Sequence, residues 1–184
     1  SGRTTLNGEG LQHQDGHSHA LAATIPNCIS YDPAYGYELA VIIQRGLEHM
    51  FVEREPVYYY ITVMNEAYEQ PAMPVGAEQG IVKGMYCIQS DEGAAGARIR
   101  LLASGTLLRE ALAAAVILRV EYSVAVQVWS VTSYTELARD IGDVARWNML
   151  HVDQPPRRSY VDECMQGADV WQDAPVVSVS DYTK

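Results

Sequence analysis

The sequence predicts an α/β fold in which parallel strands alternate with helices. Three observations support this prediction. An amphipathic helical pattern over residues 34–53 stands between two short apolar strands, the connections are short, and the same alternation restarts after residue 96. Strand, helix and strand in so few residues is typical of a right-handed crossover onto a parallel sheet. With 48% hydrophobic residues, a chain of 184 residues can bury a sizeable core.

The first block begins with a predicted strand over residues 25–31, where β-branched residues lead into a turn at Asp32 and Pro33. Asp32 is predicted to cap the helix that follows. The segment PVYYYITVM then predicts a buried strand over residues 57–63. We expect the two strands to be parallel neighbours in one sheet.

Residues 65–96 contain prolines, glycines and many polar side chains, which predicts a linker between the two blocks. The segment SGTLLRE, which follows the first strand of the second block, is predicted to form an ordinary helix cap rather than a phosphate-binding turn. In this block we predict helices over residues 106–122 and 134–150. Its strands, over residues 98–104, 125–131 and 176–180, are expected to share a second sheet.

Charge and cysteine usage exclude several classes of function. A formal net charge of -10 argues against a nucleic-acid partner, which would need clustered Lys and Arg. Cys28, Cys87 and Cys164 are far apart and form no CxxC pair, so they suggest neither a disulfide framework nor a structural zinc site. This usage predicts a cytoplasmic protein. The longest apolar run, EALAAAVILRV, is too short to span a membrane, so no membrane partner is expected.

Titratable side chains are concentrated in GEGLQHQDGHSHA, residues 8–20, which contains three of the five histidines. Three interpretations are open. His13, His17 and His19 could bind zinc or iron, because imidazole is a common metal ligand. The segment could be a polar loop, or its glycines could bring imidazole and carboxylate groups close to a bound substrate for acid–base chemistry. In the third case, Glu9 and Asp15 would orient the histidines.

A resemblance to a known family extends over nearly the whole chain. It is carried by the segments SGRTTLNGEGLQHQDGHSH, TIPNCISYDPAYGYELAVIIQRGL, VYYYIT, PAMPVGAEQGI, SVTSYTELARD and RWNMLH. The chain resembles the homodimeric bacterial pyruvate dehydrogenases. These are thiamine-diphosphate-dependent decarboxylating components of pyruvate dehydrogenase complexes, and they belong to the transketolase-like superfamily. The resemblance is weaker over residues 91–97, 119–126 and 154–175.

This resemblance implies the domain organisation of the chain. Residues 1–66 would be the later part of the pyrimidine-binding middle domain, residues 67–91 a linker, and residues 92–184 the first part of the transketolase C-terminal-like domain. Together they would form part of the parallel-sheet thiamine-diphosphate-binding fold. We therefore expect the chain to be a piece of a longer protein.

The resemblance also implies roles for individual residues. His13 would lie beside the reactive carbon of the cofactor and act in catalysis, while Glu9 and His19 would belong to the substrate-binding wall of the active site. The main determinants for thiamine diphosphate and Mg²⁺ would lie outside this chain, so the chain alone is expected to be inactive and to bind the cofactor weakly. No metal ligand is expected within it.

The implied reaction is the oxidative decarboxylation of pyruvate, with transfer of the acetyl group to the lipoyl domain of a dihydrolipoamide acetyltransferase partner. A homodimer is expected. Two alternatives remain open: another thiamine-dependent 2-oxo-acid decarboxylase or transketolase-type enzyme, and a metal-binding or structural α/β module.

Overall fold

The computed structural model describes residues 10–64, 66–91, 96–166 and 169–183. Its strands are β1 Cys28–Tyr31, β2 Tyr58–Ile61, β3 Tyr86–Ser90, β4 Arg98–Ala103, β5 Ala125–Ser130 and β6 Val176–Val179. Its α-helices are α1 Ser18–Ala23, α2 Gly36–Leu47, α3 Glu78–Lys83, α4 Leu107–Tyr122, α5 Tyr134–Leu150 and α6 Tyr160–Met165. A π-helical turn, Glu48–Val52, extends α2, and short 3₁₀ turns cover Leu11–His13 and Asp169–Trp171.

The first sheet consists of β1 and β2, which pair in parallel with Cys28 opposite Tyr58 and Tyr31 opposite Ile61. The predicted parallel pairing of these two strands is therefore confirmed. The first strand is shorter than predicted, since residues 25–27 lie in a turn and pairing begins at Cys28. None of the helices in the described part of the chain combines the length and the apolar character needed to cross a bilayer.

The second sheet has the strand order β3-β5-β4-β6. β4 pairs in parallel with both β5 and β6, which confirms that the three predicted strands share a sheet. β3 is antiparallel to β5 and lies, with α3, within the stretch predicted to be a linker, residues 67–91. Here Gly84, with a φ of 110°, ends α3 and turns the chain into β3.

The histidine-rich segment is not entirely a loop, because α1 begins within it at Ser18. Asp15 lies just before this helix, and its Oδ1 accepts hydrogen bonds from the backbone N–H groups of His17 (3.1 Å) and Ser18 (3.0 Å). These hydrogen bonds satisfy donors at the start of the helix that would otherwise have no partner. Asp15 therefore fixes the backbone that carries His17 and His19.

The start of α2 differs from the prediction, because Asp32 does not cap it. The side chain of Glu38 folds back instead, and its Oε2 accepts hydrogen bonds from the backbone N–H groups of Ala34 (2.5 Å) and Tyr35 (3.1 Å). The prediction of an ordinary cap at SGTLLRE was also wrong, since Thr106 precedes α4 without a side-chain capping hydrogen bond.

Glu38 also joins the two sheets. Its carboxylate is fully buried, and Oε1 accepts hydrogen bonds from the Tyr86 hydroxyl of β3 (2.7 Å) and the Ser130 hydroxyl of β5 (2.6 Å). Within the described residues, four donors surround this carboxylate and no salt bridge to it is formed. Next to it, Ala34 and Tyr35 pack against the core of the second sheet.

Candidate active site at the carboxyl ends of the parallel strands

Polar side chains from several parallel strands meet where those strands end. Asp32 follows β1, Thr62 follows β2 and Ser104 follows β4. The Thr62 hydroxyl donates to Asp32 Oδ1 (2.7 Å), and the Ser104 hydroxyl donates to Asp32 Oδ2 (2.9 Å). The hydroxyl oxygen of Ser180, which follows β6, lies 3.4 Å from the hydroxyl oxygen of Ser104. This edge is where open parallel sheets usually bind their ligands.

The backbone of Asp32 fixes the first sheet to the second. Its N–H donates to the Thr132 carbonyl after β5 (2.7 Å), and its carbonyl accepts from the Gly105 N–H after β4 (3.1 Å). Burial raises the pKa of the Asp32 carboxyl to about 6, although the hydroxyls of Thr62 and Ser104 stabilise the charged form. Asp32 is therefore predominantly a carboxylate at neutral pH, with two hydroxyl donors.

Gly105 is required where the chain passes Asp32. Its φ of 48° lies in the left-handed region, and a Cβ at this position would be 2.6 Å from both carboxylate oxygens of Asp32. We expect Gly105→Ala to lower the free energy of unfolding by about 2–4 kcal/mol, through backbone strain and the displaced carboxylate. Urea denaturation measures this loss.

Gly76→Ala is the matched control for Gly105→Ala. Gly76 has a φ of 79°, but no atom lies within 4 Å of the position of its added Cβ. This variant should lose only the strain component, about 1–2 kcal/mol. Equal losses in the two variants would show that contact with Asp32 contributes nothing.

His19 is the histidine of the loop that reaches this cluster. It lies in α1, and its Nε2 is 3.0 Å from the Thr62 hydroxyl oxygen. Its half-buried ring makes edge contacts with Tyr182 (centroids 4.5 Å apart) and Tyr60 (5.6 Å). Desolvation lowers the pKa of His19, and the negative charge of Asp15 partly offsets this. The imidazole is therefore predominantly neutral at pH 7 and can accept a proton.

A cavity of about 580 Å³ opens beside His19 and Asp32. The side chains that line it are mainly hydroxyl-bearing or small and apolar, and they include no lysine or arginine among the described residues. The cavity thus presents hydrogen-bonding hydroxyl groups and small apolar side chains to a bound molecule. It offers no cationic side chain to a diphosphate group.

The other predicted site residues lie elsewhere or outside the described structure. His13 ends the 3₁₀ turn Leu11–His13 with an exposed side chain and does not line the cavity. His17 is exposed as well, whereas Glu9 lies outside the described residues. The structure therefore brings His19 into the polar cluster and leaves His13 on the surface of the same loop.

A possible metal-binding group among the described residues occurs away from the histidine loop. Ligand atoms of His49, Glu53 and Glu55 lie within 4.8 Å of one another. Arg45, however, donates from NH1 to Glu53 Oε1 (2.6 Å) and also contacts His49. Because the guanidinium already neutralises this carboxylate, the group is better explained as a surface ion-pair network.

Comparison with known protein families decides the relationship of the chain. Residues 84–184, more than half of the chain, match the family model of the transketolase-like C-terminal domain. The chain belongs to the transketolase-like family. Residues 1–71 of this transketolase-like chain match the model of the pyruvate dehydrogenase E1 component middle domain.

Curated relatives confirm the resemblance seen in the sequence. The pyruvate dehydrogenase E1 components of Pseudomonas aeruginosa and Escherichia coli are 56% and 58% identical to the transketolase-like chain over its whole length. The chain spans about one-fifth, 20%, of the length of these relatives.

Solved structures confirm the transketolase-like fold. A transketolase mutant from Pichia stipitis superposes with a TM-score of 0.61 at 16% identity, covering 93% of this chain and 21% of that chain. Transketolase from Campylobacter jejuni gives a TM-score of 0.58 at 17% identity, covering 95% of this chain and 25% of that chain.

Three polar residues of the candidate site were missed by sequence reasoning: Asp32, Thr62 and Ser104. A signal for them was present, since each follows a segment predicted as a strand or stands at its end. Carboxyl ends of parallel strands share one edge of a sheet, so polar residues at these positions are candidates for one site. The sequence pattern did not predict that the first sheet docks on the second, which is what brings the three residues together.

Proposed function

We propose that this chain forms part of a pyruvate dehydrogenase E1 component that oxidatively decarboxylates pyruvate with thiamine diphosphate. The observation that carries the proposal is the identity of 56–58% to such E1 components over the whole chain. Transketolases, in contrast, share the fold at 15–17% identity. The acetyl group would pass to the lipoyl domain of a dihydrolipoamide acetyltransferase.

The cavity does not fit the diphosphate of thiamine diphosphate. A diphosphate is usually bound by cationic side chains, by Mg²⁺ or by the N-terminus of a helix. The first residues of α4 and α5 reach the cavity, but it holds no cationic side chain among the described residues, and it carries the Asp32 carboxylate, which would repel a diphosphate. We therefore propose that residues outside this chain hold the diphosphate and Mg²⁺, while this chain contributes a wall of the site.

His13 is proposed as the catalytic residue of this wall. Its imidazole is exposed and therefore accessible to a substrate. Imidazole can donate a proton to, or accept one from, the groups that gain and lose charge during decarboxylation. Glu9 and His19 are proposed to contact substrate, with His19 fixed by Thr62 at the edge of the cavity.

The proposed enzyme is a homodimer that works in the cytoplasm as a component of the pyruvate dehydrogenase complex. The three cysteines are unpaired, as expected of a protein in a reducing compartment. The net charge of -10 supports a function without nucleic acid.

A chimeric enzyme tests the proposed function. The chain would replace the matching segment of the Escherichia coli E1 component, to which it aligns over 185 residues. We expect the purified chimera, supplied with thiamine diphosphate and Mg²⁺, to decarboxylate pyruvate with an artificial electron acceptor. With the acetyltransferase, dihydrolipoamide dehydrogenase, CoA and NAD⁺ added, it should also form acetyl-CoA from pyruvate.

The same chimera would be assayed for transfer between a ketose phosphate and an aldose phosphate, the transketolase reaction. A folded chimera that is inactive with pyruvate but active in this transfer would contradict the proposal. Activity with the artificial acceptor but none with the lipoyl domain would contradict the acetyl-transfer step alone.

A further inference from the structure

Thr62 connects the histidine loop to the polar cluster at the strand ends. The residue directly follows β2 and is buried. Its hydroxyl oxygen lies 3.0 Å from His19 Nε2, 2.7 Å from Asp32 Oδ1 and 3.2 Å from the Tyr31 carbonyl oxygen. One hydroxyl group thus contacts an imidazole nitrogen and two oxygen acceptors.

The number of hydrogens decides the direction of these hydrogen bonds. A threonine hydroxyl has one hydrogen, and the Asp32 carboxylate and the Tyr31 carbonyl can only accept it. Thr62 therefore acts as an acceptor toward His19. The hydrogen of the neutral His19 ring must then be on Nε2, and the lone pair must be on Nδ1.

Two further features hold this arrangement. The Ser104 hydroxyl donates to Asp32 Oδ2, so the Asp32 carboxylate cannot turn away from Thr62 without losing a second hydrogen bond. The rings of Tyr60 and Tyr182 contact His19 at interplanar angles of 71° and 79°. These edge contacts restrict rotation of the imidazole about its Cβ–Cγ bond. The arrangement thus favours one orientation and one tautomer of the His19 ring.

We propose that Thr62 is a positioning residue, which Asp32 orients and which holds His19 as the Nε2–H tautomer. Nδ1 of His19 then serves as a hydrogen-bond acceptor for the hydroxyl group of a reaction intermediate in the cavity. This inference rests on the proposed function, in which His19 contacts substrate. It adds the residue that selects which nitrogen of His19 accepts the proton.

The tautomer is measured by nitrogen NMR of the chain labelled with ¹⁵N-histidine. The chain has five histidines, and His19→Gln identifies the signals of His19 by their loss. In the parent we expect one tautomer, with the Nε2 hydrogen protected from exchange with water. Thr62→Val removes the hydroxyl at nearly constant volume, so it should give a mixture of tautomers and rapid exchange of this hydrogen.

Two variants separate positioning from general loosening of the site. Thr62→Ser keeps the hydroxyl and should restore the protected Nε2–H tautomer. Ser104→Ala removes the other hydroxyl on Asp32 but leaves the contacts of Thr62 with Asp32 and His19, so the Nε2–H tautomer should persist, with at most a small increase in the exchange of its hydrogen. The proposal is overturned if the parent carries the hydrogen on Nδ1, if Thr62→Val leaves tautomer and exchange unchanged, or if Ser104→Ala has the effect of Thr62→Val.

The consequence for activity is tested separately in the chimera. Thr62→Val is expected to lower pyruvate turnover roughly 10-fold, as is common when a partner that orients a functional side chain is removed, and Thr62→Ser should restore it. If the NMR result is as expected while the parent chimera does not turn over pyruvate, the proposed function fails and the positioning role stands. If the chimera is active but Thr62→Val keeps full turnover, the role in the reaction is excluded.

Discussion

Replacing His13 by alanine is expected to lower pyruvate turnover of the chimeric E1 component roughly 10²-fold or more, the usual range for a positioned acid–base group. The side chain is exposed on a short 3₁₀ turn, so its loss should remove chemistry rather than packing. The affinity for thiamine diphosphate should change far less, because we propose that the diphosphate is bound by other residues. The measurement is turnover at saturating cofactor and pyruvate.

The other histidines of the same loop serve as controls for His13→Ala. His17 is exposed and is expected to tolerate alanine with a milder loss. His19→Ala should be intermediate, since its ring contacts Thr62, Tyr60 and Tyr182. Thermal melting of each variant checks that the loop remains folded. Near-normal turnover in His13→Ala, or a loss repaired by zinc, would remove the catalytic role and favour the metal-site interpretation.

Replacing Glu38 by alanine is expected to cause the largest loss of stability, about 3–5 kcal/mol in the free energy of unfolding. The change would leave the backbone N–H groups of Ala34 and Tyr35 without their acceptor. The buried hydroxyls of Tyr86 and Ser130 would each lose the hydrogen bond that they donate to Glu38. Each unsatisfied buried donor costs about 1–3 kcal/mol, and the alanine leaves a cavity in addition. Urea denaturation, followed by circular dichroism, measures the loss.

Glu38→Gln is the matched variant for Glu38→Ala. The amide oxygen can accept from the backbone of Ala34 and Tyr35, while its NH₂ group faces the hydroxyls of Tyr86 and Ser130, which can turn to accept. We expect a smaller loss, about 1–2 kcal/mol. Comparable stability of the parent and Glu38→Ala would show that this carboxylate does not join the two sheets.

The sequence by itself determined the order and nature of the main elements. The helix at residues 134–150 is observed as Tyr134–Leu150, and the one predicted over residues 106–122 as Leu107–Tyr122. These predictions succeed because amphipathic periodicity acts over neighbouring residues of one element. The parallel pairing of β1 with β2 was also predicted from the sequence, because two strands joined by a single helix usually pair in parallel.

The histidine loop was likewise found in the sequence, as a concentration of titratable groups and as part of the resemblance. Which of its histidines reaches the polar cluster was not determined there. Asp15 accepts a hydrogen bond from the first N–H group of α1, and His19 in this short helix contacts Thr62, a residue 43 positions away. A local pattern contains no information about such a contact.

Only the tertiary structure decided the surroundings of Asp32 and Glu38. Sequence reasoning made Asp32 a helix cap, but its carboxylate is bound by Thr62, 30 residues away, and Ser104, 72 residues away. Glu38 lies on a helix that was predicted correctly, yet it accepts from Ser130, 92 residues away. These hydrogen bonds form because the first sheet docks on the second at the carboxyl ends of their strands. The docking depends on the shape and packing of both sheets together. The periodicity of one segment predicts its own secondary structure but not how it packs against the other.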